Sequence, residues 1–478
     1  MELHVSLEGR KNLSREIYRQ VRGAIVDGRL RPGDPLPPTR EMARRLGVAR
    51  MTVTIAYDRL AGEGFILSRV GSGTFVNEHV ASARTTSRKP RASGALRPRP
   101  FWNTIQATNL FAQRVPFDFR TGVPDASLFP YDVWRKLLAR ELRAEAMNSN
   151  LYGHPAGHCE LRDAIARHIG VSRGVQCSGD DVTITNGTQQ ALDVIARVLL
   201  APGDRVAVED PGYPPPRRIF ESHGARIVGV RVDEEGLVVD ELPANVRLIY
   251  LSPSHQFPLG VSMSLRRRVA LLEWADRNNA AIVEDDYDSE FRFSGRPIEP
   301  LQVLDTSGRV IYVGTFSKTL LPAMRLGFVV APQSIRDAIH AAKFVTDWHS
   351  SMPLQAALAR FINDGGFARH IRKMSAVYRI RHERIASSLS RDFADILELL
   401  PSTVGLHLTA VARNVGPNEM EVVLERAAGV GIAVHELSRF SMNREPRTGL
   451  VIGYGAIATA SLDEGLRRLR ECFSSSSA

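Results

Sequence analysis

Residues 81–94 read Ala81-Ser82-Ala83-Arg84-Thr85-Thr86-Ser87-Arg88-Lys89-Pro90-Arg91-Ala92-Ser93-Gly94, and Arg97-Pro98-Arg99-Pro100 follows. A stretch this small, polar and basic cannot bury enough apolar surface to offset the entropy of ordering it. It therefore belongs to no core, and the chain on either side must fold by itself. The expected division is a first domain over 1–77, a flexible basic linker over 78–115 and a second domain over 116–478. A length of 478 residues agrees with two or more cores.

Charge separates the same two parts. The net charge is +10. Residues 1–115 hold 20 Lys and Arg against 9 Asp and Glu, and the rest of the chain holds 42 against 43. A basic module on a near-neutral body points to a polyanion as the partner of that module. No apolar run approaches the roughly 20 residues that span a bilayer. Glu2, His4, Glu8, Arg10 and Lys11 interrupt any secretory apolar stretch at the N-terminus. Cys159, Cys177 and Cys472 are odd in number and scattered. They argue for a reducing cytoplasm and against a disulfide framework or a zinc site, so no metal is expected.

The first domain has the pattern of three helices and a hairpin. Leu13, Ile17, Val21, Ala24 and Ile25 recur at helical spacing. Thr39 is the expected N-cap of a second helix with Met42, Ala43 and Leu46 on its apolar face. Gly47-Val48 breaks that helix, and a third runs from about Arg50 to Ala61. Two short apolar runs, Phe65-Ile66-Leu67 and Thr74-Phe75-Val76, flank the Gly71-Ser72-Gly73 turn. Two helices joined by a glycine-containing turn, then a hairpin, make a winged helix-turn-helix, whose second helix lies in a DNA major groove. Arg50, Thr52 and Thr54 at the start of that helix lie off its core face and are candidate base or phosphate contacts. Arg40 can reach the backbone. In the hairpin, Arg69 and the small Gly71 and Gly73 permit close approach to a duplex.

The second domain alternates buried strands with helices. Val182–Thr185, Arg205–Val208, Leu248–Leu251, Ala281–Glu284, Val310–Gly314 and Gly327–Val330 are continuous apolar runs, as a sheet covered on both faces requires. With Gln189–Leu200 and Leu265–Arg277 between them as helices, the class is α/β with a mostly parallel sheet. The ligand site is expected at the strands' carboxyl ends.

Those ends carry the parts that pyridoxal 5'-phosphate (PLP) chemistry needs: a lysine for the Schiff base, an acid for the pyridine nitrogen and donors for the phosphate. Lys318 follows one strand in Gly314-Thr315-Phe316-Ser317-Lys318. Asp285 ends another in Glu284-Asp285-Asp286-Tyr287-Asp288. Tyr287 can donate to the ring's phenolic oxygen, and Tyr213 in Asp210-Pro211-Gly212-Tyr213 can stack on the ring. Gly187, Thr188 and Gln189 join a strand to a helix N-terminus suited to phosphate. Arg325 adds a bidentate donor, and Thr315 and Ser317 add hydroxyls. Each feature alone is weak; their joint order along one α/β segment is specific.

Over about residues 13–76, with Leu36-Pro37-Pro38-Thr39-Arg40, Gly47-Val48-Ala49-Arg50-Met51-Thr52-Val53, Ala56-Tyr57 and Gly71-Ser72-Gly73-Thr74-Phe75-Val76, the chain resembles the GntR-type winged helix, with Pro38 and Ala49 standing where that family has serines. The second domain resembles the aminotransferase-like, fold-type I domain of the MocR (GabR-like) subfamily of regulators. That resemblance rests on Tyr152-Gly153-His154-Pro155-Ala156-Gly157, Ser252-Pro253-Ser254-His255-Gln256-Phe257-Pro258 and Glu284–Arg292, besides the motifs above. It implies a PLP-dependent, sequence-specific DNA-binding regulator acting on double-stranded operator DNA as a homodimer, with PLP or an amino compound as its signal. By it Lys318 is the Schiff-base lysine, Asp285 the pyridine partner, Tyr287 the phenolic-oxygen donor, Tyr213 the stacking ring and Arg325 a phosphate ligand. Two departures bear on activity. Aminotransferases place Asn before the turn proline, where this chain has Phe257. Their carboxylate-binding arginine near the C-terminus is missing from Gly449–Tyr454, leaving Arg447, with Arg217 after the stacking tyrosine, as candidate effector ligands. An active class I/II aminotransferase carrying a DNA-binding appendage is the alternative. A dimerisation scaffold with a dead pocket is disfavoured by the presence of Lys318, Asp285, Tyr287 and Arg325.

Overall fold

The computed structural model describes residues 5, 7, 12–69, 72–79, 96–106, 114–143, 152–295, 299–443 and 446–474. The chain forms two compact units, Met1–Gln106 and Ala107–Ala478. Most of the expected linker, 80–95 and 107–113, lies outside the described residues, and Pro100–Thr104 between them forms a 3-10 turn.

In the first unit, helices α1 (Leu13–Val26), α2 (Thr39–Leu46) and α3 (Arg50–Gly62) enclose a small core. Ile17, Val21 and Ile25 of α1 meet Val53, Ala56 and Leu60 of α3 there, all buried. Strand β1 (Pro35–Leu36) pairs with β3 (Gly73–Val76), which pairs antiparallel with β2 (Ile66–Arg69). The hairpin is thus a wing of three strands, one more than the sequence pattern announces. The expected cap is corrected too. Pro38 is the N-cap of α2 and Thr39 its first residue. The Thr39 hydroxyl is turned away and accepts from Arg50 Nε at 3.4 Å.

The second unit opens with β4 (Phe117–Asp118), α4 (Tyr131–Glu141) and α5 (Cys159–Arg173). It continues through β5 (Val182–Thr185), α6 (Thr188–Leu199), β6 (Arg205–Asp210), α7 (Pro214–Ser222), β7 (Arg226–Asp233), β8 (Gly236–Leu237), β9 (Val246–Leu251) and α8 (Leu265–Arg277). Then follow β10 (Ala281–Asp286), α9 (Leu301–Leu304), β11 (Val310–Thr315), β12 (Gly327–Val330), α10 (Gln333–Asp347), α11 (Met352–Asn363) and α12 (Gly366–Asp392). An eight-stranded sheet has the order β5-β12-β11-β10-β9-β6-β7-β8. All six expected strands lie in it. Strands β11, β10, β9, β6 and β7 run parallel, while β12 is antiparallel to both neighbours. Beyond it, β13 (Leu397–Leu399), β14 (His407–Ala412), α13 (Pro417–Gly429), β15 (Ile432–Ala433), β16 (His435–Glu436), β17 (Gly449–Gly453) and α14 (Leu462–Ser474) build a smaller part around an antiparallel sheet, β13-β14-β17-β16.

Strand alternation positions the site. Leu248 and Tyr250 of β9 and Val283 of β10 pack under Leu192 and Ile195 of α6. Ile249, Leu251 and Ile282 face the other way, onto Leu271 and Ala275 of α8. Asp285, two residues after Val283, therefore shares the face of Tyr250. Glu284 and Asp286 take the opposite face, where Arg173 holds Asp286 at 2.8 Å. Among the described residues, no helix is long and apolar enough to cross a membrane.

Candidate cofactor pocket and DNA-binding face

Lys318 lies three residues past the end of β11, and its Nζ donates to the Gly122 carbonyl at 2.8 Å. Gly122 makes that approach possible: its φ is +84°, and a Cβ there would stand 3.0 Å from Nζ. Burial pushes the lysine pKa down, opposed by Asp288 and Asp285 and aided by Arg325. A larger share of free amine, and so of nucleophile, follows.

Asp285 is fully enclosed. Its Oδ2 accepts from the Tyr250 hydroxyl at 2.6 Å, while Oδ1 is buried with no hydrogen-bond partner. Burial lifts this carboxyl to about 7, against the Tyr250 hydrogen bond and the Lys318 charge. A buried acceptor left unpaired costs about 1–3 kcal/mol. A protonated ring nitrogen is a donor and a cation, so it fits this atom on both counts.

The residues expected to bind phosphate are arranged around the turn at Gly187 and the end of β11. Gly187 is the N-cap of α6 with φ 78° and ψ 178°, and Thr188 and Gln189 open the helix. Arg325, itself at φ +52°, donates from Nη2 to the Asn186 carbonyl at 2.9 Å and lies across the turn. A Cβ on Gly187 would sit 3.1 Å from that Nη2. Thr315, at the end of β11, donates its hydroxyl to Ser317 Oγ at 3.1 Å and accepts from the Ser317 amide at 3.1 Å. These groups match a phosphate in kind: helix amides, a guanidinium and two hydroxyls.

Tyr213 meets Phe257 edge to face at 5.7 Å and keeps 38% of its surface exposed. Burial and the Asp285 charge push its hydroxyl up to about 12. The Tyr287 hydroxyl is engaged by His255, at 3.0 Å from the carbonyl oxygen and 3.1 Å from Nδ1. His255 Nδ1 also meets Asp288 at 3.0 Å, and the rings of His255 and His407 stand 4.7 Å apart. His255, Asp288 and His407 come from three separate segments. They bring one ligand-type atom each within 4.8 Å of the others, a grouping that sequence spacing does not reveal. Tyr250 was equally hidden. Its role needs the β9–β10 pairing, which sets Leu251 beside Glu284.

In the first unit Arg40 and Arg50 are exposed, and Thr52 and Thr54 are half-buried. The Thr54 hydroxyl turns back to the Arg50 carbonyl at 3.1 Å. On the wing, Arg69 pairs with Glu78 at 3.2 Å and lies over the Phe75 ring, and Gly73 has φ +109°. Gly71 lies outside the described residues.

Comparison with known proteins agrees with both units. Residues 13–76 match the family of bacterial regulatory proteins, gntR family, and residues 117–446 match aminotransferase class I and II. The probable rhizopine catabolism regulatory protein MocR of Rhizobium meliloti is 40% identical over 96% of this chain and 94% of its own. The HTH-type transcriptional regulator TauR of Rhodobacter capsulatus is 34% identical over 96% of each. The chain belongs to the MocR type of GntR-family transcription regulators. Its second unit has the PLP-dependent aminotransferase fold. It superimposes on a kynurenine aminotransferase of Pyrococcus horikoshii with a TM-score of 0.72 and 28% identity, over 80% of this chain and 97% of that one.

Within this MocR-type regulator the two expected effector arginines differ in their surroundings. Arg217 donates from Nη2 to the carbonyls of Gly212 at 3.1 Å and Phe440 at 2.5 Å. It thus ties α7 to the segment after β16. Arg447 is exposed and precedes β17 at the end remote from Gly453. Gly453 is the end that reaches the Phe119 carbonyl, three residues before Gly122. The intervening strand is about 13 Å long at the usual rise per residue. Phe257, in the place of the aminotransferase Asn, packs on Phe440 at 4.9 Å and on His407 at 5.1 Å. An apolar wall replaces an amide donor there.

Proposed function

We propose that the second unit holds PLP covalently through Lys318 and senses the cofactor, alone or with an amino compound, to set the affinity of the first unit for operator DNA. The observation that carries this reading is Asp285 Oδ1, a buried acceptor without a partner on the face that also bears Tyr250. Bound PLP supplies an electron-withdrawing ring and a carbonyl carbon that condenses with amines. The chain supplies the rest. Lys318 offers an amine whose protonation burial disfavours. Asp285 holds a proton at the ring nitrogen, Tyr250 fixes the orientation of that carboxylate, and Tyr213 covers the ring. Gly187, Thr188, Gln189, Thr315, Ser317 and Arg325 bind the phosphate. Tyr287 serves the phenolic oxygen by releasing its hydrogen bond to His255. On DNA, Arg40, Arg50, Thr52 and Thr54 contact the major groove and backbone, and Arg69, Gly71 and Gly73 bring the wing to the duplex. A homodimer, matching repeated half-sites, is the acting species, and the cytoplasm is its compartment.

A ligand can shift the DNA-binding pose only if it binds two conformations with different affinity. The test is the near-visible absorption spectrum of the protein with PLP, titrated with amino acids, taurine and GABA, with Lys318→Ala as control. A lysine-dependent band that one amine shifts without release of an oxo acid is expected. A band that no amine shifts makes PLP itself the signal. Steady oxo-acid release would establish the aminotransferase alternative. Loss of the lysine dependence would refute the pocket. Phe257, which leaves the ring-oxygen position without its amide, favours sensing over turnover.

A further inference from the structure

The polar residues at the start of α3 are not the ones at the centre of its outward face. Val53, Ala56, Tyr57 and Leu60 bury one side of this helix in the core of the first unit. At 100° per residue, the direction opposite that side falls close to Met51 and Ile55, with the exposed Asp58 following one turn on. Both are exposed, Met51 at 66% and Ile55 at 52%. They stand one turn apart on the same stripe, about 6 Å along the axis. Arg50 and Thr54 lie on one flank and Thr52 on the other. A lone exposed apolar residue is ordinary. Two in register at the centre of a helix whose edges carry Arg50 and threonines call for an apolar partner.

We propose that Met51 and Ile55 read thymine C5-methyl groups in the major groove. Their occupant follows from their setting. The helix is the second of a winged helix-turn-helix, and exposed Arg50 opens it while exposed Arg40 and Arg44 lie on the preceding α2. Those arginines complement phosphates, which brings the stripe against base edges. The thymine methyl is the apolar group that the major groove presents there. Base pairs are stacked about 3.4 Å apart, so side chains about 6 Å apart reach methyls one or two steps apart. The inference rests on DNA binding by this unit and assigns part of its sequence preference to apolar contact, with the arginines supplying positioning and guanine readout.

The full-length protein is used to select duplexes from a random library. The best duplex is then resynthesised with deoxyuracil at each thymine in turn, which deletes the methyl and nothing else. Burying one methyl corresponds to about a fourfold change in affinity. The expected result is a loss of that size at one or two thymines per half-site for the wild-type protein. Met51→Ala and Ile55→Ala should each bind the thymine duplex about as weakly and lose nothing further on uracil at one position. Their melting temperatures and the salt dependence of binding stay at wild-type values, because both side chains are exposed and neither carries charge. Uracil that costs nothing at every position, or costs the variants as much as the wild type, overturns the proposal while leaving DNA binding intact. Failure to select any sequence overturns DNA-binding specificity, and this proposal with it.

Discussion

Replacing Gly187 by Ala tests the phosphate cup at its tightest point. The backbone there has φ 78° and ψ 178°, a region that only glycine occupies without a penalty of about 1–3 kcal/mol. The new Cβ would also stand 3.1 Å from Arg325 Nη2 and 3.3 Å from its Cζ and Nη1. The guanidinium must turn away and give up its hydrogen bond to the Asn186 carbonyl, worth about 1 kcal/mol. The expected destabilisation is therefore about 2–4 kcal/mol. Unfolding entropy for a unit spanning Ala107–Ala478 is about 0.8 kcal/mol per degree, so each kcal/mol lowers the melting temperature by about 1.3 °C. A fall of about 3–5 °C follows, read by calorimetry or dye-based melting. On the proposed mode of PLP binding, a displaced Arg325 also loses a charge-assisted contact to the phosphate, worth about 1.5–3 kcal/mol. PLP affinity, titrated by near-visible absorption, should drop roughly 10- to 150-fold. Arg325→Gln should weaken PLP by a similar factor, and the double variant should be far from additive. A Gly187→Ala protein that melts within 1 °C of wild type and binds PLP equally well would refute the reasoning.

Two further outcomes follow from the structure. Ala49 is the N-cap of α3 and makes no side-chain hydrogen bond there, so Ala49→Ser should stabilise the first unit by about 1 kcal/mol; an unchanged or lower melting transition of that unit would contradict it. Burial, with Asp286 nearby, lifts the Glu290 carboxyl to about 8, and burial alone dominates the rise of Glu209 to about 8. A carboxyl raised in the folded state favours folding most below its ordinary value of about 4.3. That contribution is lost as the pH climbs toward 8. The cofactor-free protein should thus lose melting temperature between pH 5.5 and 8.5, and Glu290→Gln should flatten part of the slope. An identical slope in the variant would exclude Glu290 as a source.

Local patterning made much of this legible. The six apolar runs are strands of one sheet because continuous burial on both faces leaves a run of Val, Ile and Leu no other stable place. Lys318, Asp285 and Gly187 stand out in the sequence because each sits at or just beyond a strand end or at a helix start, where the backbone itself helps to present a side chain or bind an anion. The cap of α2 falls on Pro38, one residue before Thr39, because proline takes the extended backbone of a cap. Arg217 and Arg447 stand out only by their distance along the chain to a motif. That distance does not say that a carbonyl at Phe440 lies within reach of Arg217.

The sequence by itself marked two units, a basic winged helix and an α/β body, and singled out Lys318, Asp285 and the turn at Gly187. These follow from period, composition and the residues at element ends, all local properties. Tertiary structure alone decided the rest. It left Asp285 Oδ1 unpaired beside Tyr250, brought His255, Asp288 and His407 together, and lined the turn-Asn position with Phe257 and Phe440. It also left Met51 and Ile55 uncovered on the outward face of α3. The physical reason is common to all four. Hydrogen-bond satisfaction and exposure depend on what packs against a side chain, and strand register and helix phase set that only once the chain has folded.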